Sequence, residues 1–327
     1  MIDYQDVEIN GELKNKGKRC CAERWDIIKP YLKSHKTFLD IGSNLGYFSI
    51  KIAREIPDSI VASVEKSREY TLKQKEIIEK NKLKNILLCN HEFSIEMAEF
   101  FSTYYDAIDV VLMFSVLHYY SPIEAEKIIK LLAQITPELI IEHPRPEEKS
   151  GGLSTVEALS PFKDTLKKYF KEVDLIGEPG SFMSPDIKRN IFRARNPQFN
   201  RIADDGKHKI SWNKTDGWQL DNIKRDWIPG FNLHQFAMWK LEHPGLFWIT
   251  IEARKAYSKV HETNDMITDM TLRNLIFTTN GLQAIDYDDR DTWKLHGQSP
   301  ESYCEEGWFN KQMKILEEQI KEMILKI

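Results

Sequence analysis

The chain reads as an α/β fold: a doubly wound, mainly parallel sheet with helices on both faces, followed by a smaller mixed α+β module. Three observations carry this. From about residue 20 to residue 197, short apolar runs alternate with helix-length amphipathic segments. One run, residues 107–114 (AIDVVLMF), is apolar almost throughout, as a strand covered on both faces must be. Another ends in a turn with two glycines, Gly42 and Gly46, and passes straight into a helical pattern. At such a junction backbone N–H groups approach a ligand closely. At 327 residues the chain exceeds one ordinary domain, and the division falls at 1–197 and 198–327.

The elements follow in order. Residues 20–33 have a helical pattern and lead into a first strand that ends at Asp40. After the glycine turn a helix runs over 47–55 and is stopped near Pro57. Residues 59–65 (SIVASVE) form the second strand, and 67–81 a highly charged helix whose charges are a solvated outer face. Residues 85–89, 107–114 and 138–142 are the third, fourth and fifth strands, with a helix over 122–134. Residues 155–169 are helical, and 173–176 and 188–195 supply two final strands, making seven. Right-handed crossovers then place ligand sites at the carboxyl ends of the strands.

The glycine turn carries the chemistry. Residues 37–50 read TFLDIGSNLGYFSI, a D-x-G-x-x-x-G spacing rather than the G-x-G-x-x-G of dinucleotide folds. Glu65 closes the next strand, where a carboxylate accepts hydrogen bonds from both ribose hydroxyls. Together these resemble the first motifs of class I S-adenosylmethionine-dependent methyltransferases, over roughly residues 20–197. The resemblance implies a Rossmann-like seven-stranded sheet. It implies that Asp40, Gly42, Ser43, Asn44 and Gly46 hold the methionine part of the cofactor, that Glu65 holds the ribose, and that Phe114 and Ser115 border the sulfonium. That family usually places an Asp against the adenine after the third strand. Here the positions read Asn90-His91-Glu92, which leaves His91 to stack on the base or bond to it.

Methyl transfer needs mainly alignment of the acceptor, exclusion of water and, for a hydroxyl, a base. The stretch Ser115-Val116-Leu117-His118 resembles the segment after the fourth strand of small-molecule methyltransferases, with His118 orienting the acceptor or taking its proton. A histidine that only packs the loop fits the same residues. Glu142 and His143 end the fifth strand and suit acid/base work, though consecutive strand residues point to opposite faces. The N-P-P-Y signature of amino-methylating nucleic-acid enzymes does not occur there.

In the second module, Asp269, Asn274 and Asp286 surround an apolar hairpin. Their spacing resembles the catalytic and metal-binding loops of protein-kinase-like phosphotransferases, in a module like a reduced kinase C-lobe. The resemblance implies Asp269 as base, with Asn274 and Asp286 as metal ligands for Mg2+ and ATP. Ile267 replaces the usual histidine and no glycine-rich phosphate loop precedes it. A methyltransferase beside a kinase-like module resembles bifunctional enzymes that phosphorylate and methylate glycan ends, which implies a sugar or glycan-linked phosphate acceptor. A phosphotransferase and a non-catalytic S-adenosylmethionine-binding partner are the alternatives.

Composition bounds the rest. The net charge is −4 and 41% of residues are hydrophobic, which favours ordinary cores and gives no overall pull toward nucleic acid. Cys20, Cys21, Cys89 and Cys304 match no disulfide or zinc pattern, so a reducing cytoplasm is expected. The amino terminus has no signal-peptide pattern, and no apolar run is long enough for a membrane span. The Trp-rich stretch 212–248 is expected in a core or against carbohydrate. The charged amphipathic helix over 309–327 is expected to pack on the body or on a second copy in a homo-oligomer.

Overall fold

The structure is a computed structural model of the chain. It describes residues 4–19, 21–103, 108–143, 159–181 and 186–198, and then 202–204, 209–213, 217–220, 223–225, 231–233, 241–243, 246–262, 275–284 and 306–325.

A hairpin opens the chain, β1 (Val7–Ile9) and β2 (Glu12–Asn15), turning at Asn10-Gly11 with φ of 51° and 88°. Asn-Gly favours this two-residue turn because both positions need positive φ. Helix α1 (Cys21–Ile28) leads to β3 (Thr37–Ile41), α2 (Tyr47–Glu55), β4 (Ile60–Val64) and α3 (Arg68–Lys80). Then come β5 (Ile86–Cys89), α4 (Ile95–Thr103), β6 (Val110–Phe114), α5 (Pro122–Ile135) and β7 (Glu138–His143). Helix α5 starts at a capping box, Ser121 with Glu124, and has Pro122 in its first turn. Helix α6 (Phe162–Lys167), β8 (Phe170–Gly177) and β9 (Asn190–Pro197) complete this part.

All seven expected strands lie in one sheet, and an eighth joins them from the C-terminal part. The order is β15-β5-β4-β3-β6-β7-β9-β8, with β15 (Leu241–His243) antiparallel on the edge of β5. Strands β3 to β7 are mutually parallel; β9 runs antiparallel to β7, and β8 pairs antiparallel with β9. Alternate residues face opposite cores. Leu39, Ala62, Leu87, Val111 and Ile141 meet α4, α5 and α6, whereas Phe38, Val61, Leu88, Leu112 and Ile140 meet α1, α2 and α3. Helix α4 is not anticipated above, although Met97, Ala98 and Phe101 bury one face at helical spacing. Helix α6 is shorter than the 155–169 expected. Among the described residues it starts after Pro161, and the chain re-enters the sheet at Phe170.

Beyond β9 lie an antiparallel sheet of β10 (Ile202–Asp204), β11 (Lys209–Asn213), β12 (Gly217–Leu220) and β13 (Ile223–Arg225), in which Trp212 is in register with Trp218. Strand β14 (Phe231–Asn232) pairs with the expected hairpin, β16 (Leu275–Thr278) and β17 (Gly281–Ala284). Helices α7 (Leu246–Glu262) and α8 (Glu306–Leu325) contribute Tyr257, Met313 and Leu316 to the core on the α4–α5 side. No helix among the described residues is long and apolar enough to cross a membrane.

With β15 in place, β5 is an interior strand. The amides of Ile86–Cys89 are therefore expected to exchange slowly in the full chain and to lose protection, by hydrogen-exchange mass spectrometry, in a chain ending before residue 241.

Candidate functional site

The parallel strands release their chains at one edge of the sheet, and a cavity of about 620 Å³ opens there. Sheet order sets the order of the groups around it. Arg189, just before β9, comes first, then Ser115 after β6, Gly42 after β3, Glu65 after β4 and His91 after β5.

The glycine turn is held from behind. Gly42 has φ 70°, and a Cβ there would sit 2.2 Å from Val116 Cγ2. Gly46, at the start of α2, has φ 79°, and its Cβ would meet the Gln74 amide at 2.4 Å. Neither position admits a side chain without displacement. Behind the turn, Ser49 Oγ donates to Asp40 Oδ2 at 2.6 Å and lies 3.0 Å from Ser63 Oγ. Gln74 bridges Ser63 (2.6 Å) and Ser43 (3.0 Å). Asp40, Ser43 and Gly46 thus build the turn from behind. Gly42 and Asn44 line the cavity.

Glu65 lines the cavity and locks the turn to the second strand. Its Oε2 accepts from the Asn44 N–H at 2.8 Å and its Oε1 from the Ser67 N–H at 2.7 Å. Each oxygen keeps a second lone pair for a ligand hydroxyl. Asn90 ties this corner, donating to the Glu65 carbonyl at 3.0 Å and to Thr71 Oγ1 at 3.0 Å, while His91 lines the cavity. Phe114 and Ser115 line it as well, Phe114 packing edge-on to Phe48 at 4.8 Å. His118, on a 3-10 turn over Leu117–Tyr119, is buried in the wall with its ring centroid 4.2 Å from that of Tyr119. Tyr120 is fixed by its hydroxyl, which donates to the Phe93 carbonyl.

The Methyltransf_31 family, described as a methyltransferase domain, matches residues 32–200. The chain belongs to this methyltransferase family. No curated protein matches it. Among solved structures, the bifunctional kinase-methyltransferase WbdD shares 13% identity over 95% of this chain and 94% of its own, with a TM-score of 0.47. WbdD with the kinase inhibitor LY294002 shares 14% over 83% and 76%, with a TM-score of 0.48. The N-terminal domain of EvdMO1 with SAH bound shares 15% over 59% and 91%, with a TM-score of 0.44.

The acid/base pair expected at the end of β7 is not present in this methyltransferase. Glu142 is fully buried and surrounded by arginines: Arg19 Nη2 at 2.7 Å, Arg24 Nε at 2.6 Å and Arg189 Nη1 at 3.3 Å, with Ser115 Oγ donating at 2.6 Å. Burial alone pushes its carboxyl up, but the three guanidiniums and the serine outweigh it and hold the group at about 2. A carboxylate so weakly basic takes no proton near neutral pH. His143 points to the opposite sheet face and packs against Phe162, the two rings tilted by 35° with centroids 3.9 Å apart. Asp269, Asn274 and Asp286, and with them the expected Mg2+ and ATP site, lie outside the described residues. Among the described residues no group of His, Cys, Asp and Glu is arranged to hold a metal ion.

Arg19, Arg24, Arg189 and Gln74 are the site residues that sequence reasoning missed. No periodicity marks the arginines, because they meet Glu142 only through the fold. Gln74 stood at an apolar-face position of α3, beside the buried Ile77 and Ile78, and that placement was the available signal.

Two predictions follow from these charges. Glu142→Gln leaves three buried guanidiniums without their counter-charge and is expected to cost about 3–5 kcal/mol in urea unfolding. The wild-type contribution of Glu142 is fully present above its ordinary value of 4.5 and is lost as pH falls toward about 2. Asp40 behaves oppositely. Burial raises its carboxyl to about 6 against the Ser49 hydrogen bonds, so its stabilising form is the protonated one, complete below 3.8 and lost as pH rises through about 6. Asp40→Asn keeps an acceptor for Ser49 and is expected to be more stable than wild type at pH 7–8 by about 1–3 kcal/mol, with the gap closing toward pH 4.

Proposed function

We propose that this chain transfers a methyl group from S-adenosylmethionine to an oxygen of a sugar, a glycan-linked phosphate or another small polar acceptor. One observation supports this most: a single cavity at the carboxyl edge of the sheet runs from the Gly42 turn to the Glu65 carboxylate, with His118 in its wall. When bound, S-adenosylmethionine supplies an electrophilic methyl and a thioether leaving group.

The residues present fit that cofactor. Glu65 lines the cavity with lone pairs left over and is assigned to the ribose hydroxyls, with the rings of His91 and Phe93, which line it too, assigned to the base. The Gly42 turn lets backbone pass close to the ligand, and Phe114 walls off water. With Glu142 committed to arginines, His118 is the group we assign to orient the acceptor hydroxyl and hold its proton. Tyr119, two-thirds exposed, and the half-buried Tyr120 flank it and present ring faces of the kind on which sugars pack. Residues 198–327 are proposed as an accessory module that braces the β5 edge.

The test pairs binding with turnover. S-adenosylhomocysteine is expected to bind in calorimetry and to weaken about tenfold or more in Glu65→Gln. On a panel of sugars and glycans, methylation is expected to fall about 10²–10⁴-fold in His118→Gln, with S-adenosylhomocysteine affinity retained and the acidic limb of the pH–rate profile removed. Retained turnover in His118→Gln would withdraw its role, and no nucleoside binding in the wild type would withdraw the cofactor.

A further inference from the structure

We propose that Lys66 and Tyr119 form a gate across the mouth of the cavity, which a nucleoside must open to enter or leave. This rests on the cofactor reading only for the identity of the ligand that passes.

Sheet order shows that this contact spans the crevice. Lys66 follows β4, Tyr119 lies in the turn after β6, and β3 stands between those two strands. The chain leaves β3 for β4 and β5 on one side and returns on the other with β6, so the crevice opens at this switch point. Strands two places apart are separated by about 10 Å. Side chains close that distance here. The Lys66 Nζ lies over the Tyr119 ring, 5.3 Å from its centroid. The same ammonium group is 3.7 Å from Glu92 Oε1, in the turn after β5. One side chain therefore joins the turns after β4, β5 and β6.

Burial places the bridge on the solvent side. Ile41 and Val64, at the ends of β3 and β4, line the cavity and are buried. Tyr119 is two-thirds exposed, and the side chains of Lys66 and Glu92 are more than half exposed, yet all three line the same cavity. A ligand seated on the strand ends lies inside the bridge. A second tie over the crevice is of a different kind. The Tyr120 hydroxyl donates to the carbonyl of Phe93, a buried residue whose ring stacks with that of Phe101. This tie frames the mouth, while the exposed pair is free to part. An exposed cation–π contact shifts an equilibrium by only about twofold to fivefold, and so exposed an ion pair adds little. Such a contact opens readily through side-chain motion. The Tyr119 ring also packs on that of His118, so the leaf that Lys66 holds shut is part of what buries the histidine.

Binding kinetics on the full chain test the gate, with S-adenosylhomocysteine as the probe in a biosensor. A gate slows passage in both directions. Lys66→Ala is therefore expected to raise the association and dissociation rate constants together, by about twofold to fivefold, with Kd unchanged. Lys66→Arg keeps a cation for the ring and is expected to restore the wild-type rates. Tyr119→Ala is expected to speed exchange at least as much as Lys66→Ala, and adding Lys66→Ala to it is expected to change nothing further. Faster dissociation alone, with Kd weakened in proportion, would make Lys66 a direct ligand contact and overturns the gate; unchanged rates overturn it too. A second readout needs no ligand. In the free protein, diethyl pyrocarbonate is expected to modify His118 about twofold to fivefold faster in Lys66→Ala than in wild type. Peptide mass mapping measures this against His35, just before β3 at the opposite edge of the sheet. Where the nucleoside binds, its rate constants decide. If wild type binds none, the cofactor reading falls and the labelling decides: an unchanged His118 rate overturns the gate. Because Lys66 is exposed, its substitution is expected to leave folding intact.

Discussion

The Glu142 carboxylate, buried at the carboxyl end of β7 among Arg19, Arg24, Arg189 and Ser115, is the interaction on which the cavity depends. A parallel sheet supplies an open crevice where its strands end, but it does not supply walls. Here one carboxylate draws together the segment before α1, α1 itself, the turn after β6 and the residue before β9, which are otherwise distant in sequence. Dehydrating four charged groups is expensive, and an apolar replacement of equal volume would often be as stable. What the ions add is fixed geometry at the place where a reaction needs it. They also decide the chemistry by subtraction. An acid so strongly held takes no proton near neutral pH.

A second buried network does the same for the glycine turn. Asp40, Ser49, Ser63, Gln74 and Ser43 form a chain of hydrogen bonds behind it, and Gln74 also fills the space that a side chain at Gly46 would need. The turn is thus shaped by contacts facing away from the ligand, and its own backbone is what lines the cavity at Gly42 and Asn44. Glu65 then bridges the turn to the start of α3 through Asn44 and Ser67. Such pre-organisation lowers the ordering cost of binding, because the loop has already lost its freedom before a ligand arrives.

The sheet was legible because its strands are buried on both faces and therefore read as apolar runs, from TFLDI to ELIIE. The glycine turn was legible because only glycine serves at Gly42 and Gly46. The rest needed three dimensions. Strand parity alone already said that Glu142 and His143 face opposite ways, yet which one met the cavity depended on where Arg19, Arg24 and Arg189 arrive. Arg19 stands in a polar stretch, GKR, with no period to mark it, and Arg189 reads as one more strand residue. Asp40 precedes the turn, and its contact with Ser49 on α2 could not be read from the sequence. Three residues at Leu241–His243 carry too little pattern to announce an edge strand.

That edge strand changes what the C-terminal part means for the site. An open β5 edge would leave unpaired backbone beside the turn that carries Asn90 and His91. Strand β15 closes it, and Glu242 on that strand pairs with Arg68, the first residue of α3. The residue before Arg68 is Ser67, whose N–H is held by Glu65. A continuous path of contacts therefore runs from β15 through the head of α3 to the carboxylate that lines the cavity. The Arg68 side chain is more than half exposed, so the ion pair itself contributes little to stability. The backbone pairing of β15 is the stronger link, and it fixes the β5 end of the crevice much as the arginine cluster fixes the β7 end. The cavity is in this sense clamped at both ends by segments that are not part of the parallel sheet.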